Sequence, residues 1–319
     1  MVAHLSAQPF CGEQPMSDVL CVGHASWDIV MAVAHQPLAD EKLLADAMQL
    51  CGGGPAANAA VCVARLGGRA AFCGYLGRDL FGEAHLRELL DAGVDISAVQ
   101  RGCHPTPVSQ ILAKPDGLRS VVNYKGDTRQ LSADAVDPLP KAQVILFDGH
   151  EPQLSQAICQ QAKNHGSQTV LDAGSLHKGT ALLAGQVDYL VASARFASQY
   201  CATDDMQQAL RQLSGLCSHV VITQGAAGLL WAAGGEQGRL PPFRIEAVDS
   251  TGAGDAFHGA FALGLVRAMV WPDLLRYASA AGALTCTRLG ARPALPQRAA
   301  LEQLLTEQPT NTWQYEEHA

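Results

Sequence analysis

An α/β fold with a doubly wound, mostly parallel sheet, helices on both faces and a small β lid follows from three features of the 319-residue sequence. Short runs rich in Val, Ile and Leu alternate with helical stretches, the pattern of parallel strands buried on both sides. Two β-like segments interrupt that alternation and read as strands standing off the main sheet. A hydrophobic content of 48% is enough to bury a large core.

Along the chain, Val19 to Gly23 is the first apolar run, and Ile29 to Leu50 is the first segment that breaks the rhythm. Pro55 to Leu66 reads as an Ala-rich helix stopped by Gly67-Gly68, and Ala70 to Gly74 as the next strand. Pro107 to Tyr124 holds two β-like runs around Pro115-Asp116-Gly117, a turn sequence. These off-rhythm segments, about 29–51 and 107–126, predict a lid over the carboxyl ends of the strands, where open α/β sheets bind ligands. Val144 to Phe147, Thr169 to Asp172, Tyr189 to Ala192 and Val220 to Thr223 complete the strands, with a helix from Gln153 to Asn164 stopped by Gly166. One domain over 18–308 is expected, with residues 1–17 as a flexible extension and 309–319 as a frayed polar tail.

Net charge is −8, and no Lys/Arg block exists, so the sequence gives no sign of a nucleic-acid or anionic-membrane partner. No apolar run approaches the roughly 20 residues of a bilayer span. The cysteines are irregularly spaced, many lie inside apolar runs, and none forms a CxxC. Reduced core thiols in a cytoplasmic protein are therefore expected.

The most informative stretch is Asp249-Ser250-Thr251-Gly252-Ala253-Gly254-Asp255, read as the end of a short strand and a glycine turn opening an apolar helix to about Val270. Glycines let consecutive backbone N–H groups converge, and a helix start adds partial positive charge, so the turn suits a phosphate. A carboxylate there would repel a phosphate it merely bound, but it suits taking a proton from an attacking hydroxyl. The plain alternative is a helix-start acid beside a tight turn; an uninterrupted seven-residue motif is far more specific than that. A P-loop is excluded by the missing Gly-Lys-Ser/Thr.

This motif resembles the C-terminal signature of the ribokinase-like, phosphofructokinase-B type carbohydrate kinases. Gly52-Gly53-Gly54-Pro55-Ala56-Ala57-Asn58 is similar to their N-terminal glycine signature. Gly23 with Asp28, Gly77 to Gly82 and Thr223 to Gly228 follow in the family's order, so the resemblance runs from about 18 to 305. It implies ATP-dependent phosphorylation of a hydroxymethyl group on a small sugar. Asp255 would be the general base, and Gly252, Ala253 and Gly254 the anion hole. Asp28, Gly53, Gly54 and Asn58 would hold the sugar, and Ser193, Thr223, Gly225, Gly228 and Gly254 would line ATP. The resemblance also implies Mg²⁺, a homodimer through the lid, and a monovalent-cation site near Asp249 and the Thr287 to Ala291 loop.

From the residues alone, Asn58 in an apolar helix needs partners for both halves of its amide, and a sugar hydroxyl would supply one. Asp28, placed just past the first strand, can accept two hydroxyl hydrogens, though a turn cap is the ordinary explanation. Where relatives carry Asn-x-x-Glu for the metal-bound phosphates, this chain reads Ser193-Ala194-Arg195-Phe196, which leaves the metal ligands unassigned. Phe257-His258-Gly259-Ala260 and Cys286-Thr287-Arg288 are most similar to a sulfofructose-kinase-like branch. There, Lys42 and Asn123 fall at two sulfonate-reading positions, and His150 replaces the Arg of the third. A His is only partly charged near neutrality and lacks a bidentate fork, so a neutral or weakly anionic substrate is expected. A nucleoside kinase and a catalytically silent sugar or nucleotide sensor remain open alternatives.

Overall fold

Alternate residues of strand β1 (Ser17–Val22) enter opposite cores: Val19 and Cys21 join one buried cluster, and Leu20 and Val22 the other. A strand covered on both sides needs apolar residues at every position, which is why these segments read as unbroken apolar runs. The structure, a computed structural model, describes residues 16–137, 139–309 and 314–315. The expected extension therefore lies almost wholly outside the described residues.

From β1 the chain enters β2 (Ser26–Ala32) and β3 (Ala47–Gly53), then α1 (Pro55–Arg65), β4 (Ala70–Cys73), β5 (Tyr75–Gly77) and α2 (Leu80–Asp91). Next come β6 (Gln100–Gly102), β7 (Val108–Ala113), β8 (Arg119–Tyr124), β9 (Ala142–Phe147), α3 (Pro152–His165), β10 (Gln168–Ala173) and α4 (Lys178–Leu183). β11 (Tyr189–Ser193), α5 (Ala194–Cys201), α6 (Met206–Ser214), β12 (His219–Thr223), β13 (Leu229–Ala233) and β14 (Glu236–Leu240) lead to the C-terminal helices. These are α7 (Ala253–Val266), α8 (Trp271–Thr285), α9 (Ala291–Ala294) and α10 (Arg298–Glu307), followed by β15 (Gln314–Tyr315).

Among the described residues the main sheet runs β15-β14-β13-β12-β11-β10-β9-β1-β4. It is parallel from β12 to β4 and antiparallel at its β13 to β15 edge. α1, α7, α8 and α10 bury their apolar residues on one face, while α3, α4, α5 and α6 cover the other. The doubly wound fold expected from the sequence is the fold observed. Among the described residues no helix is long and apolar enough to cross a membrane, and the described cysteines are free thiols, with Cys21, Cys51, Cys62, Cys73, Cys159 and Cys217 buried.

The lid is a separate four-stranded sheet ordered β3-β2-β7-β8. Its inward face buries Asp28, Val30, Ser109 and Ile111. The outward face exposes Met48, Leu50, Val122 and Tyr124.

Four local expectations change. Asp28 is inside lid strand β2, not in a loop after the first main-sheet strand. No strand precedes the glycine turn: 241–250 is irregular, and the N–H groups of Val248 and Asp249 both donate to Cys286 O. The apolar helix ends at Val266, not near Val270, because Ala268 turns left-handed (φ 49°) and α8 starts at Trp271. Within the expected polar tail, Gln314 and Tyr315 pair with β14.

Candidate active site

The turn at 252–255 owes its shape to two glycines with different tasks. Gly252 caps α7 in the left-handed region (φ 79°), and a Cβ there would lie 2.5 Å from Ala291 Cβ. Gly254 is exposed, and a Cβ there would meet nothing within 4 Å. The space above Gly254 is thus open beside the first N–H groups of a 14-residue helix, donors that no intrahelical carbonyl satisfies. Asp255 stands in that first turn and accepts from Asn58 Nδ2 at 2.7 Å. Burial pushes its carboxyl above the ordinary carboxylate range, opposed by the Asn58 hydrogen bond and the His258 ring. A carboxylate so placed is partly desolvated yet still held toward its ionised, proton-accepting form.

The lid and the glycine segment bring the next group together. Asp28 is 3% exposed, its Oδ1 accepts from Ser26 Oγ at 2.8 Å, and burial pushes its pKa up to about 6. A Cβ on Gly53 would sit 2.1 Å from Asp28 Oδ2, so the bare backbone there is what admits the carboxylate. Gly54 (φ 92°) caps α1 and packs on His24 O, where a Cβ would lie 2.4 Å away. Register aligns Cys51, Asp28, Ser109 and Asn123 in one row across the lid, and directly paired residues share a sheet face. Asn123 therefore faces the same side as Asp28, though it is exposed. Lys42 is exposed in the connection between β2 and β3.

Asp148, at the carboxyl end of β9, accepts from three backbone N–H groups: His24 (2.7 Å), Ala56 (3.2 Å) and His150 (2.9 Å). Gly23 makes room for it, since a Cβ there would overlap Asp148 Oδ1. His150 Nδ1 lies 3.3 Å from Asp148 Oδ1, and its ring stacks on His24 (5.0 Å) and meets His177 at a tilt (4.7 Å, 47°). Burial alone would lower the His150 pKa, but the Asp148 carboxylate outweighs it and the net shift is upward. His24 and His177 go the other way, to about 3 and about 4, through burial and then the His150 charge. Behind the 252–255 turn, His258 Nδ1 is 2.6 Å from Gly254 O and 3.2 Å from Asp172 Oδ2, with Nε2 3.2 Å from Val191 O.

Ser193 and Thr223 end the neighbouring strands β11 and β12, directly paired in register. Both are at the same carboxyl edge as Asp148 and Asp172. Ser193 Oγ donates to Gly174 O (2.8 Å) and accepts from Phe196 N (3.0 Å), capping α5. Gly225 and Gly228 (φ 56° and 86°) form the turn after β12. Phe196 is fully buried core, so the position at which relatives carry the Glu of Asn-x-x-Glu is apolar here. Among the described residues no group of three His, Cys, Asp or Glu side chains is arranged to hold a metal ion. The lid touches this region through Arg119, whose NH1 donates to Ser250 Oγ (2.8 Å), and through Gly117 O, which accepts from that hydroxyl (3.1 Å).

The structure thus gathers Asp28, Gly53, Gly54, Asn58, Gly252, Ala253, Gly254 and Asp255 at one place, with His150, Ser193 and Thr223 along the same strand edge. None of Asp148, Asp172, His258, Arg119 and Arg292, whose Nε donates to Asn58 Oδ1 at 3.1 Å, has a role among the sequence-based expectations. Two of these had a usable signal, being acids at the ends of legible strands, where ligands bind in such sheets. The other three depend on contacts between distant segments.

A family model described as pfkB family carbohydrate kinase matches residues 16–298. The chain is 28% identical over 296 residues to the ribokinase of Bacillus subtilis (strain 168), covering 91% of this chain and 100% of the relative. Among solved structures, the ribokinase of Thermotoga maritima superposes with a TM-score of 0.78 at 25% identity, covering 91% of this chain and 99% of its own. An Arabidopsis thaliana ribokinase, solved with ribose and ATP, superposes with a TM-score of 0.78 at 26% identity and the same coverage.

Proposed function

The chain belongs to the pfkB family of carbohydrate kinases, and from that premise we propose that it moves the γ-phosphoryl group of ATP to a hydroxymethyl group of a small ketose or pentose, with Asp255 as general base. The hydroxyl proton passes to Asp255, the sugar oxygen forms a bond to the γ-phosphorus, and the bond from that phosphorus to the β,γ-bridging oxygen breaks, leaving ADP. Backbone N–H groups of 252–255 meet the charge that spreads over the transferred group. One observation carries this reading: the Asp255 carboxylate, fixed by Asn58 at 2.7 Å, stands beside the open space over Gly254.

Asp28, Gly53, Gly54 and Asn58 hold the sugar hydroxyls, and Asp28 fits because its carboxylate is buried against bare backbone. Lys42, Asn123 and His150 are assigned to the distal end of the sugar, supported by the shared register row for Asn123. Ser193, Thr223, Gly225, Gly228 and Gly254 line ATP, supported by the paired places of Ser193 and Thr223 at the ends of β11 and β12, the glycine turn after β12, and the open space over Gly254. Mg²⁺ enters with the nucleotide, since it keeps waters and phosphate oxygens as ligands in preference to a protein cage. A monovalent cation is assigned to buried Asp249 and the 287–291 loop, which Gly290 N ties to that carboxylate by donating to Asp249 Oδ2 (2.8 Å). The outward apolar residues of the lid support a homodimer formed face to face through it.

A coupled ADP-release screen over free sugars, sugar phosphates, sulfosugars and nucleosides tests the reading, with Asp255→Ala as control. A free sugar should give the highest turnover, and the variant should lose about 10²–10⁴-fold while still binding ATP. Release driven only by nucleosides would establish a nucleoside kinase. Nucleotide or sugar binding without acceptor-dependent release from any compound would establish a sensor.

A further inference from the structure

We infer that Arg292 is a positioning residue for phosphoryl transfer, acting on Asp255 through the amide of Asn58; the inference rests on the assignment of Asp255 as base. Arg292 is 4% exposed, and a guanidinium so far out of water persists only with good partners. Its Nε donates to Asn58 Oδ1 at 3.1 Å, its NH1 lies 3.4 Å from Glu88 Oε2, and its NH2 lies 3.1 Å from His85 Nε2. Glu88 Oε2 also takes the N–H of Gly52 at 2.8 Å. One connected set of hydrogen bonds therefore runs from the lid end of β3 through α2, α9 and α1 to the first turn of α7.

The direction of those bonds is forced. Guanidinium has only donors, so the end of Asn58 that meets it must be the carbonyl oxygen. The amide nitrogen then points to Asp255 Oδ2 as a donor. A flipped amide would set N–H against guanidinium and C=O against carboxylate, so both contacts would become repulsive. By fixing the amide, Arg292 guarantees Asp255 a donor that favours its ionised form against the burial that disfavours it. The other N–H of that amide is left to meet the sugar. His258, Arg119 and Asp148 also act on Asp255, as do Asp28 and Asp172, but none of them fixes the Asn58 amide.

Arg292→Gln tests this, because a neutral amide can donate or accept and so permits Asn58 to turn. The expected result is a loss of about 10–100-fold in kcat, the scale of removing an outer partner of a reacting group, with the acid limb of the kcat/KM pH profile moved upward. In a double-mutant cycle, Arg292→Gln on an Asn58→Ala background should cause no further change in either quantity. Independent losses that multiply, or an unmoved acid limb, would overturn the inference. If Arg292→Gln does not fold, Arg292→Met serves in the same cycle, since it fills similar volume but donates no hydrogen bond to Asn58 Oδ1. A readout free of turnover separates this from the sugar-kinase reading itself: the side-chain amide NMR signal of Asn58, assigned by its loss in Asn58→Ala, should shift in the Arg292 variant. An unshifted signal refutes the inference whatever acceptor the enzyme uses.

Discussion

The Asp28 carboxylate occupies the space that a side chain on Gly53 would need, 2.1 Å from where its Cβ would stand. Gly53→Ala must therefore displace Asp28, since the backbone of β3 is tied to β2 by register at Ser26. The sugar KM should rise about 10-fold or more while the ATP KM changes little, with about 1–3 kcal/mol of stability lost to overpacking. Steady-state kinetics with each substrate varied separately checks this, and an unchanged sugar KM would remove Asp28 from the sugar site.

Gly254 and Gly252 should respond in opposite ways. Gly254→Ala adds a methyl group into open space, so the fold should survive while turnover falls, because the methyl enters the volume assigned to the transferred phosphate. Gly252→Ala meets both a left-handed φ and Ala291, so it should mainly lower Tm. Comparing kcat and Tm for the two variants decides. A fully active Gly254→Ala enzyme would mean that phosphate does not pass over this turn.

Burial of Asp28 makes stability pH-dependent in a defined direction. Its pKa is 3.8 in an ordinary setting and about 6 here, so between those values the folded state binds more protons than the unfolded state. Stability therefore falls as pH rises through that window, and the full cost, at most about 3 kcal/mol, is present above pH 6. Asp28→Asn removes the charge and should raise Tm by a few degrees at pH 7.5, with the gap closing toward pH 4. Activity should drop at the same time. Thermal melts across pH 4 to 8 test this, and a gap independent of pH would show that Asp28 is not a strained charge.

Substrate choice turns on His150. Asp148 raises its pKa, so its positive charge persists to higher pH than for a free histidine, and activity on an anionic sugar should fall only as pH rises through that raised value. His150→Arg should shift preference toward an anionic sugar by about 1–3 kcal/mol, the scale of a charge-assisted hydrogen bond. Ratios of kcat/KM for neutral, phosphorylated and sulfonated ketoses in both proteins measure it. An unchanged ranking would confine His150 to its ring contacts with His24 and His177.

The parallel sheet, the lid and the 249–255 turn were legible from the amino-acid order. Each is written in contiguous residues: the apolar runs of β1 and β9 reflect burial on both faces, and the glycines of 252–254 reflect a local backbone shape. Local pattern misplaced Asp28, because a lid strand separated from Val22 by only three residues looks like a loop. Which groups meet follows from packing alone. Asn58 and Asp255 are 197 residues apart, Asn58 and Arg292 234, and His258 reaches Asp172 from another element. Such pairs carry no periodicity and no spacing rule, since each polar group finds its partner only after helices and strands have packed and water has been excluded from between them.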